Sequence, residues 1–173
     1  MRPPEDGSMT ADELKNRQTP IKNRYKEDPA AARQVLKVRG KLDMANLTCQ
    51  IETGRPGVPA GLHPAAGGDG NWACSGDMLL EALAACAGVT LAVVATAMGI
   101  PIRAGAVSAE GDLDFRGTLG VSKETPVGFQ AIRLHFDLDT DATPEQRAKL
   151  LQLTERFCVI AQTLKQPATL SIS

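Results

Sequence analysis

The segment CSGDMLLEALAACAGVTLAVVATAM, residues 74–98, decides what this chain can fold into. Only two of its residues are charged, so a helix built from it is apolar on nearly every face. Ser75 is a suitable N-cap, and Asp77 lies where a negative charge interacts favourably with the helix dipole. Gly99 follows the last apolar residue and ends the helix. Because a helix that is apolar all round lies inside a fold, the pattern predicts a buried central helix from Asp77 to Met98.

The residues on either side of this helix predict antiparallel strands. Leu47, Cys49 and Ile51 alternate with polar residues on one strand, which forms a hairpin with residues 35–42. Further strand regions are predicted after the helix, at residues 102–119, 129–139 and 168–172. The strands cluster instead of alternating regularly with helices, which indicates an α+β fold with antiparallel sheets.

Two capping boxes mark the starts of further helices. Thr10 and Glu13 form the first box, which begins a helix predicted to run to about Pro20. Residues 143–146 form the second box, and the apolar stripe of the helix that follows ends at Cys158. The sequence therefore predicts one helix ahead of the strands and another near the end of the chain.

Length and composition are those of an ordinary globular domain. Of the 173 residues, 43% are hydrophobic and 23% are charged. We expect residues 1–33 to form an N-terminal tail and helical extension and residues 34–173 to form one domain. The net charge of −1 and the aromatic content of 3% provide neither a basic surface nor a stacking platform. We therefore expect no nucleic-acid partner.

The first eight residues are polar and contain no apolar core of a signal peptide. The most apolar run, residues 82–98, is shorter than the roughly 20 residues that a membrane-spanning helix needs. These observations predict a cytoplasmic protein without a membrane partner. Cysteines in that compartment are normally kept as thiols.

Four cysteines occur, at positions 49, 74, 86 and 158. None is part of a Cys-x-x-Cys motif, and neither histidine is at metal-ligand spacing from them, so we expect no metal and no cofactor. Cys49 belongs to the apolar face of its strand, and Cys74 has no assigned role. Cys86 and Cys158 lie on the apolar faces of two helices and are expected to point into the same interior. Their spacing alone leaves open whether they are small core residues or a redox pair.

Two segments resemble the cysteine motifs of the OsmC/Ohr family. The first is Cys74-Ser-Gly-Asp-Met-Leu-Leu-Glu-Ala-Leu-Ala-Ala-Cys86, and the second is Phe157-Cys158-Val-Ile-Ala-Gln-Thr-Leu164. The likeness covers residues 35–173. It implies an intertwined homodimer of OsmC-like α+β fold with the central helices inside. The resemblance also implies a thiol peroxidase that acts on organic hydroperoxides or hydrogen peroxide.

The chemistry that the resemblance implies uses both helix cysteines. A Cys86 thiolate attacks the distal peroxide oxygen and becomes a sulfenic acid. Cys158 condenses with the sulfenic acid to form a disulfide, and an external dithiol reductant regenerates both thiols. The alternative interpretation is a homodimer that keeps the fold, has a binding or stress-related role, and has little peroxidase activity.

Activation of Cys86 is where this sequence departs from the family pattern. An ordinary cysteine is mostly protonated at neutral pH, so a neighbouring cation is expected. Well-known family members use an Arg held by a Glu ten residues before the first cysteine, and that position here is Gly76. The candidate activators are His63, then Arg39, with Arg55 as a third option. The second motif also has Val159 where the family usually has Pro.

Overall fold

The computed structural model describes residues 9–28, 31, 33, 39–43, 48–52 and 59–172, and within 39–52 it describes the backbone. Helices and strands are mixed along the chain, which confirms the predicted α+β class. The elements are α1 (Ala11–Glu27), β1 (Arg39–Asp43), β2 (Thr48–Glu52), β3 (Pro59–Gly61), β4 (Ala73–Cys74), α2 (Ser75–Met98), β5 (Ala104–Asp112), α3 (Phe115–Thr118), β6 (Ala131–Asp139), α4 (Pro144–Phe157) and α5 (Val159–Lys165).

Two small sheets are formed. The first has the order β1-β2-β3-β4, and the second consists of β5 and β6. β1 and β2 are antiparallel, with Arg39 opposite Glu52 and Asp43 opposite Thr48, which confirms the predicted hairpin. Its predicted residues 35–38 and its turn, residues 44–47, lie outside the described residues. β3 is antiparallel to β2, and β4 runs parallel to β3.

The chain divides into two compact units. Unit 1 comprises Met1–Val35, Ala85–Val107 and Phe136–Ser173, and unit 2 comprises Leu36–Ala84 and Ser108–His135. The core of unit 1 joins the second half of α2 to residues of β6 and α4. Its buried members are Leu91, Val94, Ala95, Ile100, Leu138 and Leu150. The predicted division into residues 1–33 and 34–173 stays a prediction.

The C-terminus of α2 enters the core of unit 1 through a glycine turn. Gly99 has a φ of 65°, and its N–H donates to the carbonyl of Thr96 at 3.1 Å. The N–H of Ile100 donates to the carbonyl of Ala95 at 2.9 Å, and both of these side chains are buried in the core. This pair of bonds is a Schellman motif, which requires the left-handed conformation that glycine adopts without strain. The turn confirms the predicted end of the helix.

The central helix is buried along one face within the single chain. Leu83, Ala87 and Leu91 are buried, whereas Val89 is 67% exposed and Val93 is 37% exposed. The complete burial predicted from the sequence therefore stays a prediction that concerns the homodimer. Within the described residues, α2 is also the single helix that is long and apolar enough to cross a membrane. That criterion rests on length and composition alone, and core helices of water-soluble proteins meet it too.

Two predicted boundaries near strands are wrong. The region 102–119 forms β5 and then the short helix α3, because the Asp114 carboxylate accepts the N–H of Arg116 at 3.0 Å and caps that helix. Residues 168–172 form no strand in the described chain, and Leu170 and Ile172 are 82% and 90% exposed. Apolar alternation predicts a strand, but a strand forms only where another strand pairs with its backbone.

One predicted helix end is wrong and another is confirmed. α1 continues through Pro20 to Glu27. A proline inside a helix removes one backbone donor, and this helix tolerates the loss of that single hydrogen bond. α4 ends at Phe157 with Cys158 as its C-cap, which confirms the predicted end, and Val159 begins an additional helix, α5, that was not predicted. The predicted capping boxes of both helices are present, with the Thr10 and Thr143 hydroxyls as acceptors.

Candidate active site

Cys158 lies at a break between two helices. Its backbone is extended, with φ −73° and ψ 109°, so it ends α4 and begins α5. Its N–H donates to the carbonyl of Thr154 at 2.9 Å, and its carbonyl accepts the N–H of Gln162 at 3.0 Å. The residue is therefore held by both helices. Its side chain is fully buried, whereas that of Cys86 on α2 is half-buried.

The two thiols lie together in unit 1. The pKa of each thiol is shifted by the side chain of the other, so the two lie within interaction distance. Burial raises the pKa of the Cys158 thiol, the backbone N–H of Ala161 opposes that effect, and the hydrogen bond to Cys86 raises the pKa further. Cys158 is thus the member of the pair that keeps its proton and donates it.

The thiol of Cys86 has its pKa shifted in the opposite direction. Burial is the largest single influence and raises this pKa, but four hydrogen-bonding groups together lower it by more. These groups are the backbone N–H of Ile160, the Cys158 thiol, the backbone N–H of Val159 and the Thr90 hydroxyl. Each favours the thiolate of Cys86 over the thiol. The pair is therefore asymmetric, with Cys86 as the group that ionises.

The two N–H donors belong to the first turn of α5. In the described part of the chain no side chain caps this N-terminus, so its leading N–H groups are free to reach Cys86. Sequence reasoning placed Cys158 at the end of one helix and did not find these donors. The signal that could have found them is Val159, which has an N–H where proline has none.

Two threonines accompany the two cysteines at one-turn spacing. Thr90 follows Cys86 on α2 and donates its hydroxyl to the Cys86 carbonyl at 2.7 Å. Thr154 precedes Cys158 on α4, is 1% exposed, and has a hydroxyl without a hydrogen-bond partner among the described residues. A buried hydroxyl without a partner costs about 1–3 kcal/mol of stability. The sequence analysis gave neither hydroxyl a role.

The predicted activator His63 lies in unit 2, where it begins the short turn Pro64–Ala66. Its Nδ1 accepts the N–H of Ala65 at 3.0 Å, and its ring stacks on Phe115 with the ring centroids 4.8 Å apart. The role of His63 as an activator stays a prediction.

The other predicted residues are placed only in part. Arg39 begins β1, but its side chain lies outside the described residues, as does all of Arg55. Cys49 pairs through its backbone with Ala60, and its predicted place in the core stays a prediction. Cys74 is a half-buried free thiol at the end of β4. Among the residues that the structure describes, no three histidine, cysteine or acidic side chains cluster as metal ligands.

Several solved structures share this fold. An OsmC-like protein from Mycoplasma pneumoniae superposes with a TM-score of 0.66 at 16% identity, covering 78% of this chain and 89% of its own. An organic hydroperoxide resistance protein OsmC from Legionella pneumophila has a TM-score of 0.61 at 15% identity, with coverages of 78% and 93%. The organic hydroperoxide resistance protein OhrB of Bacillus subtilis has a TM-score of 0.54 at 19% identity, with the same coverages. At these low identities, the TM-scores establish a common fold and nothing more.

At the level of sequence, no curated protein matches the chain. The family model described as OsmC-like protein matches residues 68–173, which include β4, all of α2, β5, β6 and the α4–α5 break. That match covers more than half of the chain and contains both Cys86 and Cys158. The chain therefore belongs to the OsmC-like protein family.

Proposed function

We propose that this protein is a thiol peroxidase that reduces organic hydroperoxides or hydrogen peroxide through Cys86 and Cys158. The observation that carries the proposal is the asymmetric pair of neighbouring thiols, in which the pKa of Cys86 is lowered and that of Cys158 is raised. Half-exposure of Cys86 gives a small peroxide access to the more reactive sulfur. Fold relatives named organic hydroperoxide resistance proteins agree with this class of substrate.

The first step oxidises Cys86. Its thiolate attacks the distal oxygen of the peroxide R–O–OH, the new S–O bond forms, and the O–O bond breaks. Two electrons pass from sulfur to the departing alkoxide, which takes a proton from water and leaves as the alcohol. Cys86 is now a sulfenic acid. The hydrogen-bond donors around its sulfur keep the thiolate populated before the attack.

The second step uses the neighbouring thiol. The Cys158 sulfur attacks the sulfenic sulfur of Cys86, a disulfide forms, and the hydroxyl leaves with the Cys158 proton as water. An external dithiol then exchanges with this disulfide, becomes a disulfide itself and returns both cysteines to thiols. Cys158 is suited to resolving because it lies within interaction distance of Cys86 and is shielded from peroxide by burial.

Activation in this scheme relies on neutral donors. The N–H groups of Val159 and Ile160 carry out the task for which a cation was expected, and His63 or Arg39 adds to it only if it reaches the sulfur as a charged group. A neutral donor set stabilises a thiolate less than a full positive charge does. We therefore expect slower turnover than in family members that have the Arg–Glu pair.

The test is consumption of cumene hydroperoxide and hydrogen peroxide with a dithiol reductant. Wild type and the control Cys74→Ser are expected to turn over, and Cys86→Ser is expected to be inactive. Cys158→Ser should be oxidised once to the sulfenic acid, seen by trapping with a dimedone probe, without forming the internal disulfide. Peroxide consumption by Cys86→Ser at the wild-type rate would overturn the assignment. Inactive wild type would favour the binding or stress-related alternative.

We further propose that the working form is the homodimer expected from the family. The exposed apolar side chains of α2 support it, since Val89 and Val93 lie on the face that the single chain leaves uncovered. Light scattering at micromolar concentration should give twice the mass of the chain. A folded monomer under those conditions would contradict the proposal.

A further inference from the structure

Gln162 on α5 reaches back across the helix break at Cys158. Its side-chain Nε2 donates to the backbone carbonyl of Glu155 at 2.8 Å, seven residues earlier in the chain. Its own backbone N–H donates to the carbonyl of Cys158 at 3.0 Å. One residue of α5 is therefore bonded both to the last turn of α4 and to the residue at which the helix breaks.

The carbonyl of Glu155 is an acceptor that the break deprives of its helical partner. In a continuous helix the N–H of Val159 would donate to it, because each N–H bonds the carbonyl four residues earlier. The extended backbone of Cys158, with ψ 109°, interrupts that ladder. The last carbonyls of a helix need partners from outside it, and the Gln162 amide supplies this one. Gln162 thus occupies the acceptor that a straight helix would use.

A second link joins the same two helices. The ammonium group of Lys165 forms an ion pair with the Glu155 carboxylate, and the two side chains are 60% and 51% exposed. An ion pair exposed to this degree contributes little to stability. Gln162 is half-buried, and its bond is made to the backbone itself. The Gln162 amide is therefore the link that fixes the course of the chain at the break.

We propose that Gln162 is a positioning residue for closing the disulfide between Cys86 and Cys158, because its amide keeps the helix broken at Cys158. Its part in catalysis rests on the proposed peroxidase function. If the amide were removed, the Val159 N–H would compete for the Glu155 carbonyl, and the straighter helix would displace Cys158. A disulfide forms only within a narrow range of Cα and Cβ separations, so a small displacement of Cys158 slows closure.

The experiment uses a Cys49→Ser, Cys74→Ser background, in which Cys86 and Cys158 are the remaining cysteines. One equivalent of methyl methanethiosulfonate transfers a methylthio group to the Cys86 thiolate, and methanesulfinate leaves. The Cys158 sulfur then attacks the Cys86 sulfur, the internal disulfide forms, and methanethiol leaves with the Cys158 proton. Mass spectrometry of acid-quenched samples gives the rate of this closing step without any peroxide.

Three variants are compared in this background. Gln162→Met removes the amide and keeps a side chain of similar length, whereas Gln162→Lys keeps an N–H donor, and the three residue types have similar helix propensities. Gln152→Met is the matched control, because the Gln152 side chain accepts from Lys149 at 3.0 Å within α4. Urea unfolding measures the stability of each variant, and dimedone trapping after cumene hydroperoxide measures oxidation of Cys86.

Gln162→Met is expected to close the disulfide about fivefold more slowly, the factor that one ordinary hydrogen bond contributes to an equilibrium. Gln162→Lys should restore most of the rate, and Gln152→Met should match the background protein. An unchanged closing rate in Gln162→Met, even with lower stability, would show a purely structural bond and overturn the proposal, as would equal slowing in Gln152→Met. If closing follows the expected pattern but peroxide does not oxidise Cys86, the positioning role stands and the peroxidase function falls.

Discussion

Replacing Val159 by proline tests whether the backbone of α5 activates Cys86. Val159 is the first residue of α5, and proline is well tolerated at that position because its missing N–H has no helical partner. The preceding residue, Cys158, is already extended with ψ 109°, as a residue before proline prefers. The substitution therefore removes one donor from the Cys86 sulfur and leaves the fold intact. Val159→Ala, which keeps the N–H, is the matched control.

The size of the effect follows from the donors around the sulfur. Val159 supplies one of the four hydrogen-bonding groups that lower the pKa of Cys86 among the described residues. A hydrogen bond to a charged group contributes about 1.5–3 kcal/mol, and water replaces part of it at a half-buried sulfur, so we take about 1 kcal/mol. That is about a fivefold smaller ionisation constant. A thiolate of higher pKa is also more nucleophilic, with a Brønsted slope of about 0.45.

These two effects make the alkylation profiles cross. At low pH, where thiolate is scarce, Val159→Pro should react about two to three times more slowly than wild type. At high pH, where both are ionised, it should react about twice as fast. Iodoacetamide alkylation of Cys86 in a Cys74→Ser background, followed by stopped flow, gives both limbs. Profiles that do not cross, or an equal shift in Val159→Ala, would refute the role of this N–H.

Three further outcomes are expected. The rate of the peroxide reaction should rise with pH and reach its plateau at a pH below about 8.5, the pKa of a free cysteine. The reason is that the lowered pKa of Cys86 keeps the thiol ionised at a lower pH. A plateau reached only at or above pH ~8.5 would contradict the assigned direction of the shift. Thr154→Val should stabilise the protein by about 1 kcal/mol in urea unfolding at fixed concentration, because it removes an unpaired buried hydroxyl; destabilisation would mean that the hydroxyl has a partner. Leu150→Ala should cost about 3–5 kcal/mol, because this fully buried side chain lies in the core, and the exposed Leu164→Ala should cost much less.

The features that were predicted correctly from the sequence depend on residues that are close together along the chain. The capping boxes at Thr10 and Thr143 and the glycine turn at Gly99 depend on residues a few positions apart, so they are readable without the tertiary structure. The closing strand at 168–172 was predicted wrongly because strand formation depends on a partner distant in sequence. The local sequence shows the apolar alternation of Leu170 and Ile172, but it does not show which strand would pair with their backbone.

The candidate site shows the same limit. Motif resemblance identified Cys86 and Cys158, but the donors around Cys86 are backbone groups whose direction depends on the helix break at Cys158. A backbone N–H is present at every residue except proline, so the sequence does not distinguish the N–H groups that bind a ligand or a side chain. The one sequence signal here is that position 159 is valine and not proline. Side-chain patterns alone therefore predicted a cation, and the first candidate was His63, whose Nδ1 accepts the N–H of Ala65.

The departures at positions 76 and 159 make physical sense together. The family's acidic side chain is absent at Gly76, where a Cβ atom would lie in ordinary van der Waals contact, 3.4 Å from the Phe129 ring and 3.5 Å from the Cys74 sulfur. Without that carboxylate, an arginine beside a neutral Cys86 thiol would be an unpaired charge, and an unpaired charge is costly wherever water is excluded. Neutral donors avoid this cost, because the Val159 N–H stays uncharged whether Cys86 is a thiol or a thiolate. Losing the acidic residue thus favours gaining an N–H at position 159, and restoring the proline alone should weaken the site.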